Sequence, residues 1–269
     1  MVYKNRPDLV WWGTYSVPLN TVGRWSIGPS TFWIERMSNE WKIIYETGDN
    51  ELDTFLDVSL PFTQSVETVP KAVITRFGVT DTDETIMLTP ALADRPVVIH
   101  SETPFYVLPN QNISFYVSSP VWIIIKTGNP PVKIIDMPVF RPSDTWFGPS
   151  TMEGELCYAS KSYGRLKLED IQFRPHRAVT VVLLKNQTNQ SILLKSLNLP
   201  VRTLSLYESE DGYLWTQPVT LEMKRDSDSA DLEIKPRAPK EAKKPKIICE
   251  PREKIGGNIL TQALYRLIK

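Results

Sequence analysis

Cys157 and His176 stand nineteen positions apart, and they are the pair whose chemistry could support nucleophilic catalysis. A thiol becomes a working nucleophile when an adjacent imidazole takes its proton. Only one other histidine exists, His100, so any arrangement that needs an imidazole has very few forms. Carboxylates offer a second route: Asp144 with Glu153, and Glu155 close by, supply the acid and base that glycoside hydrolysis needs across a sugar. A third reading is recognition without reaction, with Trp146 as a flat face and Asp144 and Arg177 as charged contacts for a small polar or sugar-like ligand. Each has a plainer explanation. The apolar neighbours in Leu156-Cys157-Tyr158-Ala159 suit a buried strand, where a free thiol behaves as a small hydrophobe. Ser143-Asp144 and Glu153-Gly154 read as turns with solvated side chains. His176 lies in Arg174-Pro175-His176-Arg177, where two cations disfavour the imidazolium and make an anion-binding corner as good a reading as a base.

The elements that must hold these residues are strands. From Trp11 to Ile234, short β-branched and aromatic runs alternate with Pro, Gly, Asn and Asp, the pattern of an all-β sandwich or barrel. The runs predict strands over 31–36, 41–45, 73–79, 85–89, 97–100, 113–117 and 121–126, then over 155–159, 165–169, 179–184, 192–195, 204–207, 219–223 and 231–234. In Arg165-Leu166-Lys167-Leu168-Glu169 leucines and charges alternate, as in an antiparallel sheet with one wet face. The run 141–158 connects two β-rich halves, which predicts two antiparallel β-sandwich-like domains over 1–140 and 141–234. Trp33 and Trp122 sit in apolar runs and are expected in the core, whereas Trp12 and Trp146, each near a glycine, are expected at the surface.

Composition narrows the function classes. Thirty-one basic residues balance thirty-one acidic ones in 269, so nothing favours nucleic acid as a partner. Cys157 and Cys249 form neither a disulfide framework nor a metal-type pair. With no Gly-rich phosphate loop and no dinucleotide fingerprint, no cofactor and no metal are expected. The start of the chain lacks the apolar core of a secretion signal, and the most apolar run, Val121-Trp122-Ile123-Ile124-Ile125, is far short of the ~20 residues a membrane helix needs. A cytoplasmic protein without a transmembrane segment is expected.

The end of the chain differs. Between 235 and 254 stand eight Lys or Arg, three Glu and four Pro, which reads as a basic, Pro-rich linker. After Gly256-Gly257, the stretch 255–269 places Ile259, Leu260, Leu264, Leu267 and Ile268 on one stripe of a short amphipathic helix. At about a dozen residues such a helix is marginal alone in water and must dock on its own domain, on a partner, or peripherally on a membrane whose anionic lipids attract the linker.

The central run Arg141-Pro142-Ser143-Asp144-Thr145-Trp146-Phe147-Gly148-Pro149-Ser150-Thr151-Met152-Glu153-Gly154-Glu155-Leu156-Cys157-Tyr158 carries a resemblance. So do Trp11-Trp12-Gly13, Arg24-Trp25-Ser26-Ile27-Gly28-Pro29, Leu88-Thr89-Pro90-Ala91-Leu92-Ala93-Asp94-Arg95-Pro96 and Leu197-Asn198-Leu199-Pro200-Val201. Together, over about residues 11 to 222, they resemble the prokaryotic domain-of-unknown-function family 432. The resemblance implies no activity and no catalytic residue. Related genes lie near those of small-conductance mechanosensitive channels in some bacteria, which makes such a channel, at the inner face of the membrane, a candidate partner. The expectation is therefore a non-enzymatic protein-interaction module. The alternatives are a small-molecule or carbohydrate-binding module built on 141–158, and a hydrolase using Cys157/His176 or Asp144/Glu153.

Overall fold

The structure, a computed structural model, describes residues 9–63, 66, 72–80, 83–148, 152–162, 164–224 and 230–254. Its elements are strands. In chain order they are β1 (Gly13–Ser16), β2 (Thr21–Ile27), β3 (Ser30–Met37), β4 (Glu40–Thr47), β5 (Leu56–Ser59), β6 (Val73–Gly78) and β7 (Thr85–Ala91). Then come β8 (Val97–Val107), β9 (Asn112–Pro120), β10 (Trp122–Thr127), β11 (Val132–Pro138), β12 (Ser143–Phe147), β13 (Glu155–Ser162) and β14 (Arg177–Asn186). The last are β15 (Ile192–Leu199), β16 (Leu206–Glu208), β17 (Leu214–Thr216), β18 (Val219–Met223), β19 (Ala230–Ile234) and β20 (Lys246–Cys249). The expected all-β class is therefore the observed one. The stripe of Ile259, Leu260, Leu264, Leu267 and Ile268 lies outside the described residues.

Two compact units organise these strands, and the chain weaves between them. The first joins Met1–Ala91, Val121–Phe140 and Arg174–His176; the second joins Leu92–Pro120, Arg141–Phe173 and Arg177–Lys269. The expected division at 140 assigned 92–120 to the first half, whereas the chain also crosses at 91, 120, 173 and 176 and that stretch lies in the second unit, because β8 and β9 pair with strands from later in the sequence.

In the first unit, the sheet β1-β7-β10-β11 faces the sheet β5-β2-β3-β4-β6, and every pairing is antiparallel. The unit's core is rich in aromatic bulk: Trp11, Trp25, Trp41 and Phe32 are fully buried, and Trp33 and Trp122 nearly so. Tyr15 of β1 meets Trp25 of β2 edge-on at 5.2 Å, a geometry that aromatic quadrupoles favour. Burying several such rings removes 150 to 250 Å² from water for each, roughly, which gives this unit a large apolar core despite its short strands.

The second unit pairs β12-β13-β8-β15 with a seven-stranded sheet, β19-β18-β14-β17-β16-β20, in which β9 adds to β14. Three pairings here are parallel, β13 with β8 and β14 with both β17 and β18. Its core is mostly aliphatic with a few aromatic rings, and polar side chains help tie the sheets. Phe105 of β8 meets Phe115 of β9 at 5.6 Å, and Asn186 of β14 donates to the carbonyls of Val107 and Leu108, both at 3.0 Å.

Two local expectations need correction. The stretch 165–169 is not a strand: Arg165 makes one isolated bridge to Tyr116, and Leu168–Asp170 turns as a 3-10 helix. Leu168 packs on the cluster around Val179 while Leu166 stays exposed, so no second face exists to hold an extended run. The stretch 235–254 is built into the second unit instead of linking. β20 pairs with β16, and Ala242 is buried beside Val179, Tyr207 and Trp215. Three of its lysines have partners in cis, Lys243 with Asp211 at 3.3 Å, Lys244 with Glu210 at 2.6 Å and Lys246 with Glu208 at 3.7 Å. A count of charges and prolines could not see that Ile247, Ile248 and two alanines suffice to add an edge strand to an existing sheet. No helix among the described residues is long and apolar enough to cross a membrane.

Candidate functional site

β12 and β13 form a hairpin on one edge of their sheet, with Asp144 opposite Tyr158, Thr145 opposite Cys157, Trp146 opposite Leu156 and Phe147 opposite Glu155. Two glycines allow the closure. A Cβ on Gly154 would lie 2.6 Å from the Phe147 carbonyl oxygen and 2.7 Å from Trp146 Nε1, and one on Gly148 would overlap the Glu153 carbonyl. Directly opposed residues share a face. The hairpin therefore sorts the expected site residues into two sets, Asp144, Trp146, Leu156 and Tyr158 on one face, and Thr145, Cys157, Phe147 and Glu155 on the other.

The first face carries fixed charge beside open apolar surface. Arg141 Nη2 donates to both Asp144 oxygens, at 3.1 and 3.0 Å, and Arg95 Nη1 reaches Asp144 Oδ1 at 3.4 Å. Both guanidinium groups also lie over the Tyr158 ring, at 5.7 and 5.3 Å, and the Tyr158 hydroxyl donates to Asp94 at 3.0 Å. Burial, reinforced by Asp94, raises the Tyr158 pKa, so the phenol stays protonated as a donor. Trp146 and Leu156 remain 46% and 44% exposed, and Met152, in the adjoining loop, 93%. A planar cation lattice flanked by an indole and two aliphatic side chains is suited to recognition. Glu153 is exposed at the same loop.

The second face is closed around Cys157, while Thr145, Phe147 and Glu155 are partly exposed. Cys157 is wholly inaccessible, its Sγ 3.6 Å from the Glu155 carbonyl, and its pKa is pushed up to about 12, by burial first and then by the Glu155 carboxylate, against the opposing pull of Arg202. Reactive thiols need the opposite environment, electropositive and accessible. Glu155 accepts from Asn198 at 3.1 Å and pairs with Arg202 at 3.7 Å, and Arg202 in turn holds Glu253 at 3.1 Å. Arg252 donates to the Leu92 carbonyl at 2.7 Å, so the end of the described chain is clipped against this side of the second unit.

His176 belongs to the first unit and Cys157 to the second. The imidazole is 1% exposed, and its Nε2 lies 3.0 Å from the Glu51 carbonyl oxygen, which can only accept, so Nε2 carries the proton. Nδ1 faces Gly28, whose φ of +53° suits a residue without a side chain and where any Cβ would overlap the ring. Nδ1 is buried against the Gly28 backbone. The flanking residues grip the same unit: Trp11 Nε1 donates to the Pro175 carbonyl at 2.8 Å, and Arg174 Nε to the Leu52 carbonyl at 3.3 Å. Arg177 is buried in the second unit, where it braces the two sheets through Ser118 Oγ and Ser160 Oγ, both at 2.8 Å. The structure thus brings Asp144 and Trp146 together on one face, puts Glu155 and Cys157 behind them, and gives His176 and Arg177 structural surroundings.

Arg95, Asp94, Asn198 and Arg202 escaped the sequence reading as site residues. A signal did exist for three of them. Asp94-Arg95 and Asn198 stand in the short runs that carry the family resemblance, and in the fold those runs converge on the hairpin. The remaining runs, Trp11-Trp12-Gly13 and Arg24 to Pro29, gather instead around Pro175 and His176. A family model matches residues 11–269, described as a protein of unknown function, DUF432. The chain belongs to the DUF432 family. The match extends well past the expected end near 222, so β20 and the terminal stretch are part of the DUF432 region. No curated protein and no solved structure matches the chain. Among the described residues, no group of three or more His, Cys, Asp or Glu could hold a metal ion. One crevice between the sheets of the second unit, lined by Ile99, Phe105, Phe115 and Leu194 among others, has a volume of about 10 Å³, room for a single water.

Proposed function

We propose that this DUF432 chain is a non-enzymatic protein-interaction module that presents the open face of the β12–β13 hairpin to a protein partner. The observation that carries this reading is the contrast in access: Trp146, Leu156 and Met152 are exposed beside the Arg95, Arg141 and Asp144 lattice, while the Cys157 thiol and the His176 imidazole are shut away. Trp and Arg are the side chains most often found to dominate binding energy at interfaces, the indole by filling a pocket and the guanidinium by forked hydrogen bonds. The candidate partner implied by the family resemblance is a membrane channel of the mechanosensitive type, met from the cytoplasmic side.

Co-purification from native membranes tests this, with the intact chain set against Trp146→Ser and Leu156→Ser. The expected result is at least a tenfold loss of recovered partner in both variants, roughly 1.4 kcal/mol of binding. Equal recovery removes the hairpin from the interaction. A second reading, a sugar stacked on Trp146 beside Asp144, is favoured by the exposed indole next to a fixed carboxylate. Quenching of indole fluorescence by simple sugars, lost in Trp146→Ser, would select it.

A further inference from the structure

Among the described residues β12 is the last strand of its sheet, paired with β13 alone. The direction of its main chain follows from its neighbours. Tyr158 of β13 donates its amide to the Pro96 carbonyl at 2.9 Å, on the β8 side, in the parallel ladder that sets Tyr158 against Val97. Main-chain groups alternate along a strand, so Cys157 and Ala159 turn theirs toward β12, where they meet Thr145 and Ser143. Asp144, opposite Tyr158, therefore turns its N–H and C=O away from β13, and the same alternation directs those of Trp146 outward. The residues that carry the open face also form the outer rim of the sheet.

Natural sheets blunt such a rim with lysine, with proline inside the strand, or with a bulge. β12 has none of these. Ser143-Asp144-Thr145-Trp146-Phe147 contains neither lysine nor proline, and its five pairs with β13 keep one register, whereas the edge strands β11, β15 and β20 each shift against their neighbour. The strand is also complementary to itself. Two β12 strands set antiparallel about a two-fold axis at Thr145 match all five residues, Ser143 with Phe147, Asp144 with Trp146 and Thr145 with its own copy. In that register the outward main-chain groups of Asp144 face those of Trp146 in the second copy, the arrangement in which opposed residues exchange both hydrogen bonds. Moving the axis to Asp144 would set carboxylate against carboxylate. Charge agrees with the first register: the lattice balances Arg95 and Arg141 against Asp94 and Asp144, so like faces do not repel. The axis also brings the loop of one hairpin, with exposed Glu153, beside the Arg141 end of the other, and each Trp146 indole beside an Asp144 and Arg141 pair, a guanidinium on which an aromatic ring can stack.

We propose that two copies of this chain join through β12, edge to edge and antiparallel about Thr145, into one continuous sheet. Because such an axis stands normal to the sheet, Trp146, Leu156 and the Arg95, Arg141 and Asp144 lattice of both copies lie on one side. For the interaction reading above, on which this consequence rests, the recognition surface is then doubled and two-fold symmetric, fitted to a partner that itself repeats.

Sedimentation equilibrium of the full chain over about a hundredfold range of concentration tests the pairing, with a mass rising from one copy to two as the expected result. Trp146→Pro removes an outward N–H at an edge position that tolerates proline and leaves the bonds between β12 and β13 in place, so it should weaken association at least about tenfold, and more than Trp146→Ser does. A cross-link fixes the register and does not depend on that variant folding. With the native thiols replaced by Cys157→Ala and Cys249→Ser, Thr145→Cys should oxidise with diamide to a disulfide-linked dimer, because residues opposed at such a pair hold their Cβ atoms about 4.5 to 5.5 Å apart, near the reach of a disulfide. Ser143→Cys in the same background, set against Phe147 of the other copy, should not. A chain that stays a single copy throughout, association indifferent to Trp146→Pro, or linkage as ready at Ser143→Cys as at Thr145→Cys overturns the proposal. Neither experiment uses a partner, so a failed co-purification and a failed self-association remain separate outcomes.

Discussion

The two faces of one hairpin, five residue pairs long, differ in what they expose. On one face the side chains that can react, Cys157 and Glu155, are buried or spoken for; on the other, side chains that can only recognise, Trp146 and Leu156, meet solvent beside a fixed Arg and Asp lattice. A single backbone register sets both, because adjacent residues on a strand point to opposite sides. Glu155 and Cys157 cannot be brought to the open face without sending Leu156 and Tyr158 to the closed one. The register thus decides which side chains of this element meet solvent.

The contrast can be attacked first through the thiols. At pH 8 Cys249, which is partly exposed, should react with a disulfide reagent at least about a hundredfold faster than Cys157, whose thiol is inaccessible and held protonated by burial. Equal rates would mean that the closed face opens readily. Next in size is Cys157→Asp, which puts an uncompensated charge into that face and should cost about 4 kcal/mol in urea unfolding. Smaller still is an alkaline effect. The Cys157 pKa is about 12 in the fold against about 8.5 in an unfolded chain, so the fold binds the proton more tightly. Stability from this thiol is therefore complete below about pH 8.5 and is lost as pH rises toward 12. Thermal unfolding between pH 7 and 10.5 should show a shallower decline for Cys157→Ala than for the wild type, and parallel curves would mean that the thiol titrates normally. The smallest effect belongs to the open face, where Trp146→Ser removes an indole about half covered and should cost about 1 to 2 kcal/mol of folding stability. A loss as large as that of Cys157→Asp would show that the indole is part of the core and would erase the distinction between the faces.

Much of the fold was legible in the sequence because most strands pack one side against a core. The apolar runs at 73–79, 85–89, 121–126, 179–184 and 219–223 all fall on observed strands. Strands with less apolar sequence were harder to see. β11, β12 and β20 lack a continuous apolar run, and each is stabilised by a neighbour distant in its own region of sequence or by a turn, which a local pattern does not encode. Weaving between units was invisible for the same reason: Arg174-Pro175-His176 looks like any polar corner until Trp11, Glu51 and Val121 close on it. At the site, Asp144 and Trp146 were found from type and position alone, and their arginine came half from the run itself, as Arg141, and half from Arg95, nearly fifty residues earlier. What sequence could not supply was the sidedness of the hairpin, since both Cys157 and Leu156 read as buried apolar positions until the pairing shows which face is covered.

The three-residue clasp Arg174–His176 also sets a timetable. The first unit has its strands in hand once β11 leaves the ribosome, yet the Pro175 carbonyl that receives the Trp11 indole and the imidazole that fills the hollow at Gly28 arrive only after β13 has been synthesised. Until then a tryptophan-rich half is waiting for its last piece, exposed to chaperones and to its own neighbours on the polysome.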